Sequence, residues 1–248
     1  MPEAQFRPCA VVPVYNHEHA LPVVVEHLRQ SHLPCLLVDD GSQPACAAVI
    51  DHLATLDGVS LLRLPSNQGK GCAVVAGLRE MARQGYSHAL QVDADGQHDL
   101  GNLEDFLEAA REAPEAVICG YPEYDASVPR GRLYGRYVTH VWVWINTLSL
   151  AIRDSMCGFR GYPLAATVAL ADQEPIGRRM DFDTEILVRL YWRELPLRWL
   201  PVQVRYPLDG VSHFRLWRDN GRISLMHARL FFGMLRRAPR LLLLKVRR

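Results

Sequence analysis

The first 120 residues alternate between two kinds of segment, and that alternation restricts the fold more than any other feature of the chain. Short apolar runs rich in β-branched residues occupy 9–14, 35–38, 59–64, 88–92 and 116–119. Between them, 17–31, 44–56, 68–84 and 100–113 carry helical spacing, with Leu103, Phe106, Leu107 and Ala110 on one face of the last. Uniformly apolar runs suit parallel strands buried on both faces. The pattern therefore predicts an α/β fold, a mostly parallel, doubly wound central sheet flanked by helices. In such sheets ligands bind beyond the carboxyl ends of the strands. Chemistry is to be sought in the residues that follow each strand.

The second half breaks the alternation. Helix candidates cover 134–152 and 181–194, and a strand candidate covers 197–206. With no repeat, low-complexity tract or linker, a single domain over 1–219 is expected, followed by a basic amphipathic tail over 220–248. The tail has no acidic residue and carries eight arginines and lysines among Leu, Phe and Met. The formal net charge of +1 conceals this asymmetry. Residues 1–125 hold 18 acidic and 7 basic side chains, whereas 126–248 hold 9 and 21. Neutral overall balance argues against a nucleic-acid binder, but the two halves point to different charged partners.

Six cysteines lie scattered without a Cys-x-x-Cys pair, which predicts reduced, mostly buried thiols of a cytosolic protein. The polar N-terminus reaches a strand-like run by residue 9, leaving no room for a signal peptide. The apolar run at 138–152 is shorter than the roughly 20 residues a spanning helix needs, so no transmembrane segment is expected.

Three strand ends carry polar signatures: Pro13-Val14-Tyr15-Asn16, Asp39-Asp40-Gly41-Ser42 and Asp93-Ala94-Asp95-Gly96-Gln97-His98. Carboxylates two residues apart on extended backbone project to the same side. Asp93 and Asp95 can thus share one hard cation, Mg²⁺ or Mn²⁺, whose other positions take water and phosphate oxygens. An EF-hand reading fails, because His98 stands where that loop needs glycine and a strand precedes it. Asp-Gly after a strand is in isolation only a turn signal; three polar strand ends in succession carry the argument. Asn67-Gln68-Gly69-Lys70-Gly71 opens a helix, where amides and Lys70 would favour an anion or simply start the helix. It matches neither phosphate-loop nor dinucleotide fingerprints.

Together these motifs resemble the family 2 glycosyltransferases of GT-A fold, nearest to the dolichol-phosphate-mannose synthase-like, polyprenyl-phosphate glycosyltransferase branch. The resemblance continues through Asp154-Ser155-Met156-Cys157-Gly158-Phe159-Arg160, Phe182-Asp183-Thr184-Glu185 and Gly210-Val211-Ser212-His213-Phe214. It implies a GT-A, Rossmann-like domain with a helical tail, a UDP- or GDP-linked sugar donor and transfer with inversion. Pro13, Tyr15 and Asp40 would hold base and ribose, and Asp93, Asp95 and Gln97 the metal on the diphosphate, with Lys70 nearby. A hydroxyl acceptor would need a base, Asp183 or Glu185. A lipid phosphate is already anionic and would instead need cations. Arg130 and Arg132 match the family's basic acceptor loop, which Arg205, His213 and Arg215 would complete as a phosphate clamp. His213 has metal ligation and packing as other readings, and the chain departs here from the eukaryotic synthases, which usually have lysine after that serine. Asp154 and Arg160 read as struts for the loop carrying Gly158, and Cys157 as packing.

The tail has two readings. As an interfacial helix it would bury Leu225, Leu230, Phe231, Phe232, Met234 and Leu235 at the lipid boundary, its arginines meeting anionic headgroups; alternatively it docks on protein. The expectation is a metal-dependent enzyme, peripheral on the cytosolic membrane face. A nucleotidyltransferase would want a Gly-rich basic first loop, and a non-catalytic scaffold would bind no nucleotide.

Overall fold

All five apolar runs of the N-terminal half form strands in the computed structural model, which describes residues 5–124, 130–204 and 216–247. They are β1 (Pro8–Val14), β2 (Cys35–Asp39), β3 (Val59–Arg63), β4 (His88–Gln91) and β5 (Val117–Tyr124). The helical patterns between them become α1 (Leu21–Gln30), α2 (Pro44–Leu53), α3 (Lys70–Arg83) and α4 (Leu103–Glu112). With β6 (Arg160–Pro163) and β7 (Leu197–Val204), the sheet order is β3-β2-β1-β4-β6-β5-β7. The chain builds outward from β1 to β3, then returns to set β4 parallel on the other side of β1. Strand order thus reverses between β1 and β4, and the crevice at their carboxyl ends is where such sheets bind ligands.

Period-two alternation explains why these strands are apolar throughout. Cys9 and Val11 of β1 enter one core with α3, α6 (Leu164–Gln173) and α7 (Phe182–Trp192), whereas Ala10, Val12 and Val14 enter a second core with α1, α2 and α4. Two elements were not expected. β6 is Arg-Gly-Tyr-Pro, without β-branched signal, and runs antiparallel to both β4 and β5. Its slot between two strands, not its propensity, makes it a strand. α6 follows it directly and packs on α3.

The tail is helical, as expected. α8 (Leu216–Arg247) is one helix that runs through the boundary expected at 219 and packs against α5 (Arg130–Thr147) and α7. Met226, Leu230, Met234 and Leu241 are buried in the same core as α7, so Leu230 and Met234 face protein rather than lipid. Leu225, Phe232 and Leu235 remain exposed, as do Tyr137, Val138 and Val141 on α5.

Where α8 meets α5, His227 is buried, accepts a hydrogen bond from Asn146 Nδ2 at 3.3 Å and stacks on Trp142. Burial pushes its pKa down to about 4. Above its ordinary value, about 6.5, His227 is neutral in both states. Between there and pH 4 only the unfolded chain takes up the proton, so stability falls with pH by about 2–3 kcal/mol in total. Urea unfolding from pH 7.5 to 4.5 is expected to show this loss, and His227→Phe to remove about that much of the pH dependence.

Candidate active site

The ends of β1 and β2 are tied to each other before any ligand is considered. Asn16 adopts φ 56°, its N–H donates to Ser42 Oγ at 3.2 Å, and its Oδ1 accepts from Gln43 N–H at 2.8 Å. Pro13 is buried beside Val38, and Tyr15 follows half-buried at the mouth. Asp39 is a strut, accepting Ser42 N–H at 2.8 Å and pairing with Arg63 at 2.7 Å.

Asp40 at the end of β2 also holds the neighbouring loop. Its two buried oxygens accept the N–H groups of Gln68 and Gly69 at 2.7 and 2.8 Å. Burial raises its pKa, with the two N–H donors opposing. It shapes the 67–71 loop through one N–H on each oxygen, which leaves further lone pairs on the carboxylate.

That loop is not an open anion cradle. The amide of Cys72 is taken by Arg178 O at 3.2 Å, and Arg179 donates to Asn67 Oδ1 at 2.8 Å. A Cβ on Gly69 would lie 2.5 Å from Arg178 O, and one on Gly71 2.4 Å from Gly177 O. The glycines admit the 177–179 backbone rather than a ligand. Lys70, instead of facing out, turns inward. Its Nζ lies 2.8 and 2.9 Å from the two oxygens of Asp93 and 3.0 Å from Asp183 Oδ2. Burial alone would lower its pKa, but the carboxylates of Asp183 and Asp93 hold it above the ordinary lysine value.

Asp93, Asp95 and Gln97 stand where expected, directly after β4 at the β1/β4 reversal. For Asp93 burial opposes ionisation, yet Lys70 and His98 outweigh it and hold the carboxyl below the usual range. Only the Lys70 approach to Oδ2 is directed as a hydrogen bond, which leaves Oδ1 buried without one. Asp95 Oδ1 accepts Gln97 N–H at 3.0 Å, closing the turn. No third His, Cys, Asp or Glu joins them among the described residues. Two carboxylates with an underused buried oxygen, plus a carboxamide, fit a hard cation that keeps positions for phosphate oxygens.

The opposite wall is the 154–160 loop. Asp154 Oδ1 accepts the N–H groups of Met156 and Cys157 at 2.9 and 2.7 Å, while Oδ2 takes Arg136 Nε at 2.6 Å. Arg160, fully buried, donates to the carbonyls of Asp183, Cys157 and Ser155 at 2.8, 3.1 and 3.4 Å. Both residues act as struts. Their work brings Gly158 against the charged pair, where a Cβ would lie 2.4 Å from Asp93 Oδ2 and 2.8 Å from Lys70 Nζ. Gly158→Ala is therefore expected to displace Asp93 and weaken metal-supported nucleotide binding about tenfold or more, with far-UV dichroism unchanged; affinity equal to wild type would contradict this placement.

Asp183 and Glu185, two positions apart at the start of α7, face different surroundings. Asp183 is engaged by Gln91 Nε2 at 3.0 Å and by Lys70. Glu185 is a correction. It is fully buried, accepts Gly177 N–H at 2.8 Å and pairs with Arg189 and Arg229, each at 2.7 Å. A carboxylate so enclosed joins helices and is not placed to act as a base. Arg130 and Arg132 begin α5, but their side chains, and the whole of Arg205, His213 and Arg215, lie outside the described residues.

Two polar residues at the site had been given no role in it from the sequence. Gln91 is a fully buried amide at the end of an apolar strand, bridging Tyr162 and Asp183. His98 lies tilted against Phe159, ring centroids 5.8 Å apart, and sits 3.7 Å from Cys157 Sγ. Burial disfavours its charge, but Cys157, Asp93 and Asp95 push its pKa up to about 9. A polar residue closing an apolar strand, and a histidine directly after the Asp-x-Asp-x-Gln run, were the available signals.

With this geometry in view, comparison with known proteins is informative. The family model described as glycosyl transferase family 2 matches residues 9–166. A polyprenol monophosphomannose synthase of Mycolicibacterium smegmatis is 29% identical over 63% of this chain and 61% of its own. A dolichyl-phosphate beta-glucosyltransferase of Mus musculus is 30% identical over 75% of this chain and 64% of its own. The chain thus spans under two thirds of the length of these relatives. Among solved structures, glucosyl-3-phosphoglycerate synthase from Mycobacterium tuberculosis, in complex with Mn²⁺ and UDP-glucose, superposes with TM-score 0.67 at 13% identity, covering 93% of this chain and 79% of its own. At that identity it shares the fold.

Proposed function

The chain belongs to glycosyl transferase family 2, and from that premise we propose that it transfers a sugar, with inversion, from a nucleoside-diphosphate sugar to a polyprenyl phosphate. The observation that carries the reading is the Asp93-Ala94-Asp95 pair at the β1/β4 reversal, walled by Gly158 and backed by Lys70. Asp93, Asp95 and Gln97 would hold Mg²⁺ or Mn²⁺, which when bound neutralises charge on the departing diphosphate. Pro13 and Tyr15 border the space for the base. Lys70 keeps Asp93 ionised, and Arg160 holds the loop that sets Gly158 against the pair.

The acceptor follows from Asp183. Its oxygens hold Gln91 and Lys70, a pairing that supports a positioning role over that of a base. A lipid phosphate is already a nucleophile and needs none. Arg130 and Arg132 at the start of α5, with Arg205, His213 and Arg215, supply cations for such an acceptor. Relatives that act on polyprenol, undecaprenyl and dolichyl carriers share only the prenyl phosphate. Contact with the carrier's bilayer is assigned to the exposed apolar side chains of α5 and α8, at the cytosolic face; no described helix is long and apolar enough to cross a membrane.

The test offers UDP- and GDP-linked sugars with undecaprenyl phosphate or its dephosphorylated alcohol. Sugar is expected on the phosphate and not on the alcohol; transfer to the alcohol alone would contradict the acceptor assignment.

A further inference from the structure

Five arginines and one glutamate line a cleft of about 730 Å³ between α6, α7 and α8, which shares no lining residue with the β1/β4 crevice. The arginines are Arg189, Arg193, Arg229, Arg236 and Arg237, and the glutamate is Glu174. Too few carboxylates answer them. Glu174 serves Arg189, Arg193 at 3.4 Å and Arg237 at 3.8 Å, while Glu185 behind the wall serves Arg189 and Arg229. Asp181 adds only a 3.9 Å approach to Arg229. Arg236 is exposed and has no ion-pair partner among the described residues. The cleft keeps a positive excess, with guanidinium donors left over.

Its floor is built rather than incidental. Arg237 lies over the Trp192 ring at 4.7 Å and donates to Gly233 O at 3.2 Å. A Cβ on Gly233 would come within 2.8 Å of the same indole, so glycine there lets α8 pack directly on Trp192. Guanidinium forks match phosphate oxygens in pairs, which a lone ammonium cannot do. Phe232 lines the rim, 63% exposed, and Leu225 and Leu235 continue its face of α8 at helical spacing. Arg229 and Arg236 interleave with them. That mixture of basic and apolar side chains is what an interfacial helix presents to a bilayer.

From this we infer that the cleft is a phosphate-binding site that seats the phosphodiester headgroup of an anionic membrane lipid, separate from donor and acceptor. It rests on the sugar-transfer reading in no respect, and on the proposed membrane contact only for the source of the phosphate.

The test measures binding of the full chain to vesicles of phosphatidylcholine alone or mixed with phosphatidylglycerol, and thermal stabilisation by inorganic phosphate. The double variant Arg193→Gln/Arg236→Gln is expected to bind the mixed vesicles about tenfold or more weakly than wild type. Arg218→Gln, on the same helix outside the cleft, should change binding by less than about threefold. Phosphate that raises the melting temperature of wild type but not of the double variant, without vesicle binding, supports the site with a soluble source. Mixed-vesicle and phosphate binding that survive the double substitution overturn the cleft, while leaving membrane contact through α8 standing. An equal loss from Arg218→Gln also overturns it, because the effect would then be general surface charge.

Discussion

Arg160→Met should destabilise the protein by about 3–5 kcal/mol, a third or more of a typical domain's stability. The guanidinium is fully buried and donates to three backbone carbonyls and the Tyr162 hydroxyl. No carboxylate lies within ion-pair distance of it among the described residues, so the carbonyl dipoles satisfy its charge. Methionine fills much of the volume but leaves those carbonyls in a dry pocket without donors, at about 1–3 kcal/mol each before relaxation. It also frees the 155–157 loop from the start of α7, so Gly158 no longer abuts Asp93. Urea titration should show the lower midpoint with little change in slope. Arg160→Lys should recover only part of the loss, since an ammonium cannot span acceptors on two sides of a planar fork. A loss under about 1 kcal/mol would mean that the loop is held by something else.

Asp95→Ala has the largest expected effect on activity. The carboxylate's one described hydrogen bond closes a local turn by accepting Gln97 N–H, and it is partly open to the crevice. Removing it costs the fold little, on the order of 1 kcal/mol. It removes one of two carboxylates available to a divalent cation, and with it most of the charge compensation for a leaving diphosphate, about 10³-fold in turnover. Its neighbour Asp93, already paired with Lys70, would leave the cation a single carboxylate. Turnover within tenfold of wild type, at unchanged melting temperature, would sink the metal assignment.

The sequence made the parallel sheet readable because strands buried on two faces must be apolar throughout, and the helices between them periodic. That logic fails for β6, whose Arg-Gly-Tyr-Pro carries no β-branched signal and becomes a strand only in its slot between β4 and β5. It fails again at Gly69 and Gly71, which announce a close approach without saying of what; the structure answers with the backbone of 177–179. Asp93 and Asp95 were legible because they follow β4 directly at the β1/β4 reversal, although Ala94 and Asp95 form a turn rather than the extended backbone expected. Asp183 and Glu185 were not separable, since two residues along a helix turn the side chain by about 200°, toward Lys70 in one case and Arg229 in the other. The tail's periodicity was readable, but whether Leu230 faced lipid or α7 depended on a tertiary contact.

The central claim is a metal-supported site for a nucleoside diphosphate at the β1/β4 reversal. Calorimetric titration of the chain with UDP and with GDP, each in Mn²⁺ and in EDTA, tests it most directly. Binding of one nucleotide in Mn²⁺, lost in EDTA and in Asp95→Ala, is the predicted result. No binding of either, or binding indifferent to both metal and Asp95, would contradict it.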